Sequence, residues 1–518
     1  MVWLIHASLA LTEGRFTYAL DDAYIHMAVA KHLAQAGVWG VTPYAFSSSS
    51  SSPLWTLILA GLFRLLGVHE LIPLVLNLIF ATLTLTWIHA HVKNRVSPGA
   101  AFIVLATAIL FPPLPIIVMG GMEHTLQMLL VLMFVTEAAR RLTRPPRPGG
   151  PSLPVMALAA LLPIVRYEDL FVVAVVCGVL LARRRTRDAV AIGIAAFVPI
   201  AVFGAYSMAH GAPPIPNTVL LKGVSNGVQD VVLAVPRNLW RSKPLAELLA
   251  LALALLAVDH MRPGFLHPRR RMMILIFACT ALLHLQLAKV GWLYRYEAYL
   301  VVLAIAAVGP ALVGPPGDPA GPRTLSSWPS QTAAAAFAVA VALARIPVLA
   351  SGPLASQNIY QQQVQTGRFL AAAYSGQVVA VSDIGAVNFL ADLRCIDLMG
   401  LGDLEVAKIR LAHGGLTAAQ ADDVVRRRHA RIVISYERWF HDMRDGVTGD
   451  GIPPRWDQPV GRWAIDDCVV CGADTLAFFG MDPAERDTLA ARLRAFEPRL
   501  PAGVDQSGPY VALGGARR

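Results

Sequence analysis

Two adjacent carboxylates, Asp21 and Asp22, follow the first apolar stretch of a chain that is 55% hydrophobic and 15% charged. Ionisable side chains at a membrane boundary are costly to keep and so point to function. A partly desolvated carboxylate there can act as general base toward a hydroxyl. Residues 22–36 read as a short amphipathic helix ending near Gly37. Asp22 then sits near its N-terminus, where capping is the plainer role. Asp21 is the member of the pair left to face a cavity.

Further polar clusters could join them. Gly120-Gly121-Met122-Glu123-His124 opens a helix, so Glu123 could serve the helix dipole and His124 could simply pack. Arg166-Tyr167-Glu168-Asp169 interrupts an apolar stretch. It reads as a tight loop or as a phosphate-binding arginine, since guanidinium forms bidentate contacts to phosphate oxygens. Pro216-Asn217-Thr218, followed by Lys222, reads by itself as a turn. Tyr294-Arg295-Tyr296-Glu297 sets an arginine among aromatics that could serve only as interface anchors. Asp383 and the run Asp397-Leu398-Met399-Gly400-Leu401-Gly402-Asp403 follow a strand; turns explain the glycines, and a domain docked on a site would explain the aspartates.

The elements that must position these groups are membrane helices. A soluble domain carries about 25% charged residues, well above the fraction here. The net charge of +10 sits in short loops between apolar runs, which signals topology rather than a nucleic-acid face. Full-length spans are predicted at roughly 72–92, 99–118, 122–139, 152–165, 168–182, 189–209, 244–260, 272–288, 298–313 and 331–350. Val2–Leu11 is too short for about 30 Å of hydrocarbon and reads as a truncated first span, giving about eleven. Basic loops (Lys93/Arg95, Arg140–Arg147, Arg183–Arg187, Arg262–Arg271, Arg323) fall inside by the positive-inside rule; every polar cluster above then falls outside. The fold class is a mostly α multi-pass bundle, residues 1–350, with an extracytoplasmic α/β domain, residues 351–518. That domain has β-like runs Val378–Val381 and Arg431–Ser435, a helix near Leu416–Arg428 and a turn cluster at Gly451–Pro454. The serine run Ser47–Ser52 reads as a flexible loop, and Leu54–Leu66 as a half-helix or an interfacial one. Of five cysteines, Cys177 and Cys279 lie in apolar runs; Cys468 and Cys471 could form a redox or metal pair, or a structural disulfide involving Cys395.

Taken in order, these motifs resemble the membrane-embedded GT-C glycosyltransferases of the terminal arabinofuranosyltransferase type. The resemblance rests on Asp21-Asp22-Ala23-Tyr24-Ile25, Ser52-Pro53-Leu54-Trp55, Gly121-Met122-Glu123, Arg166-Tyr167-Glu168, Pro216-Asn217-Thr218 with Lys222, Arg295-Tyr296, Asp383–Ala386 and Asp397–Asp403. Tyr167 stands where the family has proline, and His124 where it commonly has threonine. The resemblance implies inverting transfer of a sugar from a polyprenyl-phosphate donor to a hydroxyl of a cell-envelope glycan or lipid. The setting would be the outer face of a bacterial inner membrane, with no nucleic acid and no cofactor; a divalent cation at Asp21/Asp22 is a minor option. By carry-over Asp21, with Asp22 behind it, would be the base. Arg166, Lys222, Arg295 and His124 would hold the donor phosphate. Glu123, Glu168, Asn217, Tyr296 and Asp383 would orient the substrate. A multi-pass lipid or solute transporter is the alternative that intramembrane charges also fit.

Overall fold

A computed structural model describes residues 1–145, 150–223, 233–313, 328–436, 456 and 458–509. Arg147, Arg323 and the turn cluster Gly451–Pro454 lie outside the described residues.

The first part is helical, and its helices begin where the sequence supplies helix-compatible starts. Proline occupies the first turn of Pro53–Leu66, Ile72–Val92, Pro98–Leu110, Lys243–Met261 and Pro268–Leu287, where its missing N–H costs nothing. The acidic helix, Asp21–Ala36, ends at Gly37, whose φ of 70° is the left-handed cap that glycine favours. The predicted span 99–118 is broken: Pro98–Leu110 stops, and a short helix Leu114–Met119 follows Pro112 and Pro113. Among the described residues, four helices are long and apolar enough to cross a membrane, namely Ile72–Val92, Thr186–Ala209, Lys243–Met261 and Pro268–Leu287. Val2–Leu11, Pro53–Leu66, Pro98–Leu110, Leu153–Val165 and Ala298–Leu312 are shorter apolar helices.

A long helix, Trp328–Ile359, leads without a break into the second part. There a six-stranded sheet is built from β1 (Val378–Val381), β2 (Arg394–Asp397), β3 (Ile432–Tyr436), β4 (Gly461–Ile465), β5 (Thr475–Gly480) and β6 (Val504–Ser507). Its order is β2-β1-β3-β5-β4-β6. β1 is parallel to β2 and β3; the other pairs are antiparallel. The sequence indicated β1, β3 and the helix Ala418–Arg427, which a Thr417/Gln420 capping box starts.

Each face of the sheet buries a different core. Ala380, Ile396, Val433 and Phe479 pack outward against Val406, Val424 and Val425. Val379, Val381, Ile384, Phe369 and Trp463 pack inward in one cluster with Ile25, Val29, Trp39 and Val41. The inner core of the second part is therefore completed by the acidic helix of the first. That helix also packs along Pro53–Leu66 and against the short helix Gly385–Leu390.

Candidate active site

The acidic helix divides its side chains between two places. Asp22, Ile25 and His26 line a cavity of about 350 Å³, within the range of small-molecule sites. Arg166, Glu168, Arg295 and Tyr296 line it too, with Arg237 and Lys289. Among the described residues four cationic side chains thus face two carboxylates, Asp22 and Glu168.

The charges form linked pairs. Arg295 Nη2 donates to Asp22 Oδ2 at 2.5 Å, and its Nη1 lies 2.9 Å from the Met122 sulfur. Arg166 donates through Nε and Nη2 to both oxygens of Glu168, at 3.2 and 2.7 Å, and through Nη1 to Glu123 at 2.7 Å. Both guanidiniums lie over the Tyr296 ring, at 4.8 Å for Arg295 and 5.6 Å for Arg166. Glu123 is fully buried beneath Arg166, and its other oxygen is 3.5 Å from His26 Nε2. Removing one partner from such a buried set strands a charge, at about 3–5 kcal/mol.

Asp21 is placed differently from the sequence expectation. It is the first residue of the acidic helix rather than a side chain facing the cavity. Its two oxygens accept the backbone N–H groups of Gly385 and Ala386, at 2.9 and 2.8 Å. These amides open the helix Gly385–Leu390, so Asp21 satisfies the N-terminus of a helix in the second part. Gly385 permits the approach: a Cβ there would lie 2.2 Å from the Asp21 carbonyl oxygen. Burial, and then the charge of Asp383, push the Asp21 carboxyl up to about 8.

Other expected site residues also fall away from the cavity lining. His124 is buried, with Nδ1 3.4 Å from Gln127 Oε1, and Gln127 in turn donates to Asp169 at 2.8 Å. Asn217 is buried, and its backbone N–H donates to the Ser48 carbonyl at 2.9 Å; its neighbour Thr218 reaches the cavity. Asp383 accepts from Gln363 at 2.8 Å and from the Tyr436 hydroxyl, beside Asp21. Lys222 stands on the helix Asn217–Gly223, and its side chain lies outside the described residues. Asp397 closes its own turn by accepting from Met399 and Gly402, and Asp403 caps the helix Leu404–His413. Among the described residues no group of three or more His, Cys, Asp or Glu side chains is arranged to hold a metal ion.

The serine run is buried rather than flexible. Ser47, Ser48, Ser49, Ser50 and Ser52 are all enclosed. Ser50 Oγ lies 2.8 Å from Thr56 Oγ1 and 3.2 Å from His26 Nδ1, so the run props the histidine. Sequence reasoning missed His26, Arg237 and Lys289. His26 was findable: it follows Asp22 by four residues and must share its helix face.

A second cavity, of about 580 Å³, lies on the other side of the acidic helix, where Tyr24 faces Ile5, Leu9, Arg15, Glu70 and Arg368.

Comparison with known proteins follows the fold. A family described as a domain of unknown function (DUF8728) matches residues 357–479, within the second part. No curated protein matches the chain. The crystal structure of ArnT from Cupriavidus metallidurans bound to undecaprenyl phosphate aligns over 93% of this chain and 97% of that one, with a TM-score of 0.53 at 12% identity. The apo structure of the same protein aligns over the same shares, with a TM-score of 0.53 at 10% identity. The chain is thus similar in fold to ArnT over 93% of its length.

Proposed function

We propose that this chain is a polyprenyl-phosphate-dependent membrane glycosyltransferase, moving a sugar with inversion to a hydroxyl of a cell-envelope glycan or lipid at the extracytoplasmic face. The observation that carries the reading is the Asp22–Arg295 pair, with Arg166 beside it, in one cavity. ArnT, the fold neighbour, was crystallised with undecaprenyl phosphate, and a ligand of that kind suits this cavity. Its phosphate would bind Arg295 and Arg166, with Arg237, Lys289 and Lys222 as further cations. Leaving-group charge develops on that phosphate as the glycosidic bond breaks, and fixed cations stabilise it. Asp22, released from Arg295 as the phosphate takes its place, would accept the acceptor hydroxyl proton. Glu123 and Glu168 would hold Arg166 in plane, and His26 would steady Glu123. The second cavity offers apolar walls with Arg15 and Arg368 for an acceptor.

The eleven crossings, the sidedness and the boundary near residue 350 belong to this proposal. The apolar helices of 10–17 residues would cross where the bilayer thins around them or where two act in tandem. Arabinofuranose is one sugar among several that the cavity could take.

The test is to supply purified protein in lipid with radiolabelled polyprenyl-phosphate sugars. Consumption of at least one, with release of polyprenyl phosphate, is expected. Failure of every donor to turn over, alongside donor-independent movement of lipid across vesicles, would replace this reading with a transporter.

A further inference from the structure

The stretch Cys468-Val469-Val470-Cys471 takes no part in the chemistry above, yet it lies across the joint between the two parts. The long helix Trp328–Ile359 passes into a π-helical turn, Tyr360–Val364. Turns of this kind are frequent at functional sites. Its three consecutive glutamines are buried, and each holds a different segment of the second part. Gln361 donates to the Ala502 carbonyl at 3.1 Å, Gln362 to Ala473 and Asp474 at 3.1 and 2.9 Å, and Gln363 to Asp383 at 2.8 Å. Just before the turn, Asn358 grips the cysteine segment from both sides. Its amide donates to the Asp467 carbonyl at 3.2 Å, and its carbonyl oxygen accepts the Val469 N–H at 2.8 Å. Val470 is buried with the core of the helical part, whereas Cys471 packs on the core beneath the sheet. Residues 467–474 are therefore a strap tied to both bodies.

The strap carries two free thiols, Cys468 and Cys471, with only Val469 and Val470 between them. Cys468 is exposed and Cys471 half-buried. Cys395 is committed elsewhere: it lies on β2, with the Asn388 amide 3.5 Å from its sulfur. Each strap cysteine thus has the other as its partner.

We infer that Cys468 and Cys471 are a reversible redox pair, bridged by exchange with a disulfide-bearing oxidant, and that the bridge stiffens the strap across the joint. The exposed Cys468 thiolate attacks one sulfur of the oxidant, and the other oxidant sulfur leaves as a thiol. Cys471 then displaces the remaining oxidant sulfur from Cys468, and the Sγ–Sγ bond forms. Two electrons and two protons pass to the oxidant, which ends as two thiols. Burial pushes the Cys471 thiol up, so the exposed sulfur is the one that exchanges first. The pair's chemistry stands without the transferase reading; only an oxidising compartment around it rests on the proposed topology.

The test uses the full chain in lipid nanodiscs, equilibrated with oxidised glutathione or with dithiothreitol, then tagged with a maleimide and mapped by mass. Cys468 and Cys471 should lose reactivity together in the oxidised buffer and recover together on reduction. The Val469 amide should exchange its hydrogen about tenfold more slowly in the bridged form. Cys468→Ser should leave Cys471 unbridged and the exchange rate at its reduced value. Unchanged labelling in both buffers, a lasting glutathione adduct on Cys468 alone, or loss of Cys395 with either cysteine would overturn the pairing. Equal Val469 exchange in the two forms would overturn the stiffening. None of these readouts requires sugar transfer, so they fail or succeed separately from the proposed reaction.

Discussion

The cavity face and the joint face of the acidic helix each receive an aspartate, and they use it in opposite ways. Successive helical residues are about 100° apart, so Asp21 and Asp22 cannot face the same place. Asp22 meets a guanidinium, a partner that an incoming phosphate can take over. Asp21 meets two backbone amides that no ligand can displace without undocking the second part of the chain. Identical chemistry is thus poised on one face and consumed by structure on the other.

The distinction can be broken by experiment. Asp22→Asn should lower sugar transfer by about a thousandfold, with unfolding temperature close to that of the parent. Asp21→Asn should keep transfer within about tenfold and lower the unfolding temperature instead, through the lost helix-terminus contact. Equal loss of transfer in the two variants would erase the difference between the faces.

Arg295→Ala should lower kcat/KM for a lipid-phosphate donor by about a hundredfold, measured at saturating acceptor. Unchanged donor kinetics would remove the pair from the site.

Gly385→Ala tests the joint alone. Its Cβ would meet the Asp21 backbone at 2.2 Å, and such overpacking costs about 1–3 kcal/mol. A lower unfolding temperature and earlier proteolytic release of the second part are expected. Transfer should suffer less than in Asp22→Asn.

The smallest effect is on pH. The Asp21 carboxyl is raised from 3.8 to about 8 by burial and then by Asp383, whose own carboxyl burial also raises. A carboxyl with a folded pKa above its unfolded value binds its proton more tightly in the folded state. Docking should therefore be firmest in acid and weaken as pH climbs from about 4 to about 8. Melting temperature followed across that window should decline gently in the parent and flatten in Asp21→Asn; a rising curve would contradict the burial of Asp21.

What the sequence made legible follows from how rare charge is in apolar surroundings. Arg166, Glu168 and Arg295 stood out because little else near them is polar, and the structure brings them to one cavity with Asp22 and Tyr296. The placements of Asp21 and Asp22 differ from the expected ones, with Asp22 rather than Asp21 in the cavity, because helix phase at the first turn depends on where the helix starts. The expected start at residue 22 was one residue late. His124, Asn217 and Asp383 lie off the cavity lining, a placement that spacing alone does not reveal. The serine run misled through composition: six small hydroxyl side chains look solvated, yet five of them are buried. Only β1 and β3 of the six strands were visible, since β5 meets β3, and β6 meets β4, across long sequence gaps.

The long helix carries a mechanical consequence. Its 32 residues make a shaft of about 48 Å, longer than the roughly 30 Å hydrocarbon slab. Pro347 and Pro353 sit within it, and each removes a rung from its hydrogen-bond ladder shortly before the glutamine turn. A shaft weakened at two successive levels bends there more readily than elsewhere along its length. Any bending between the two parts would accordingly concentrate at that collar, while the grip of the second part on the acidic helix persists.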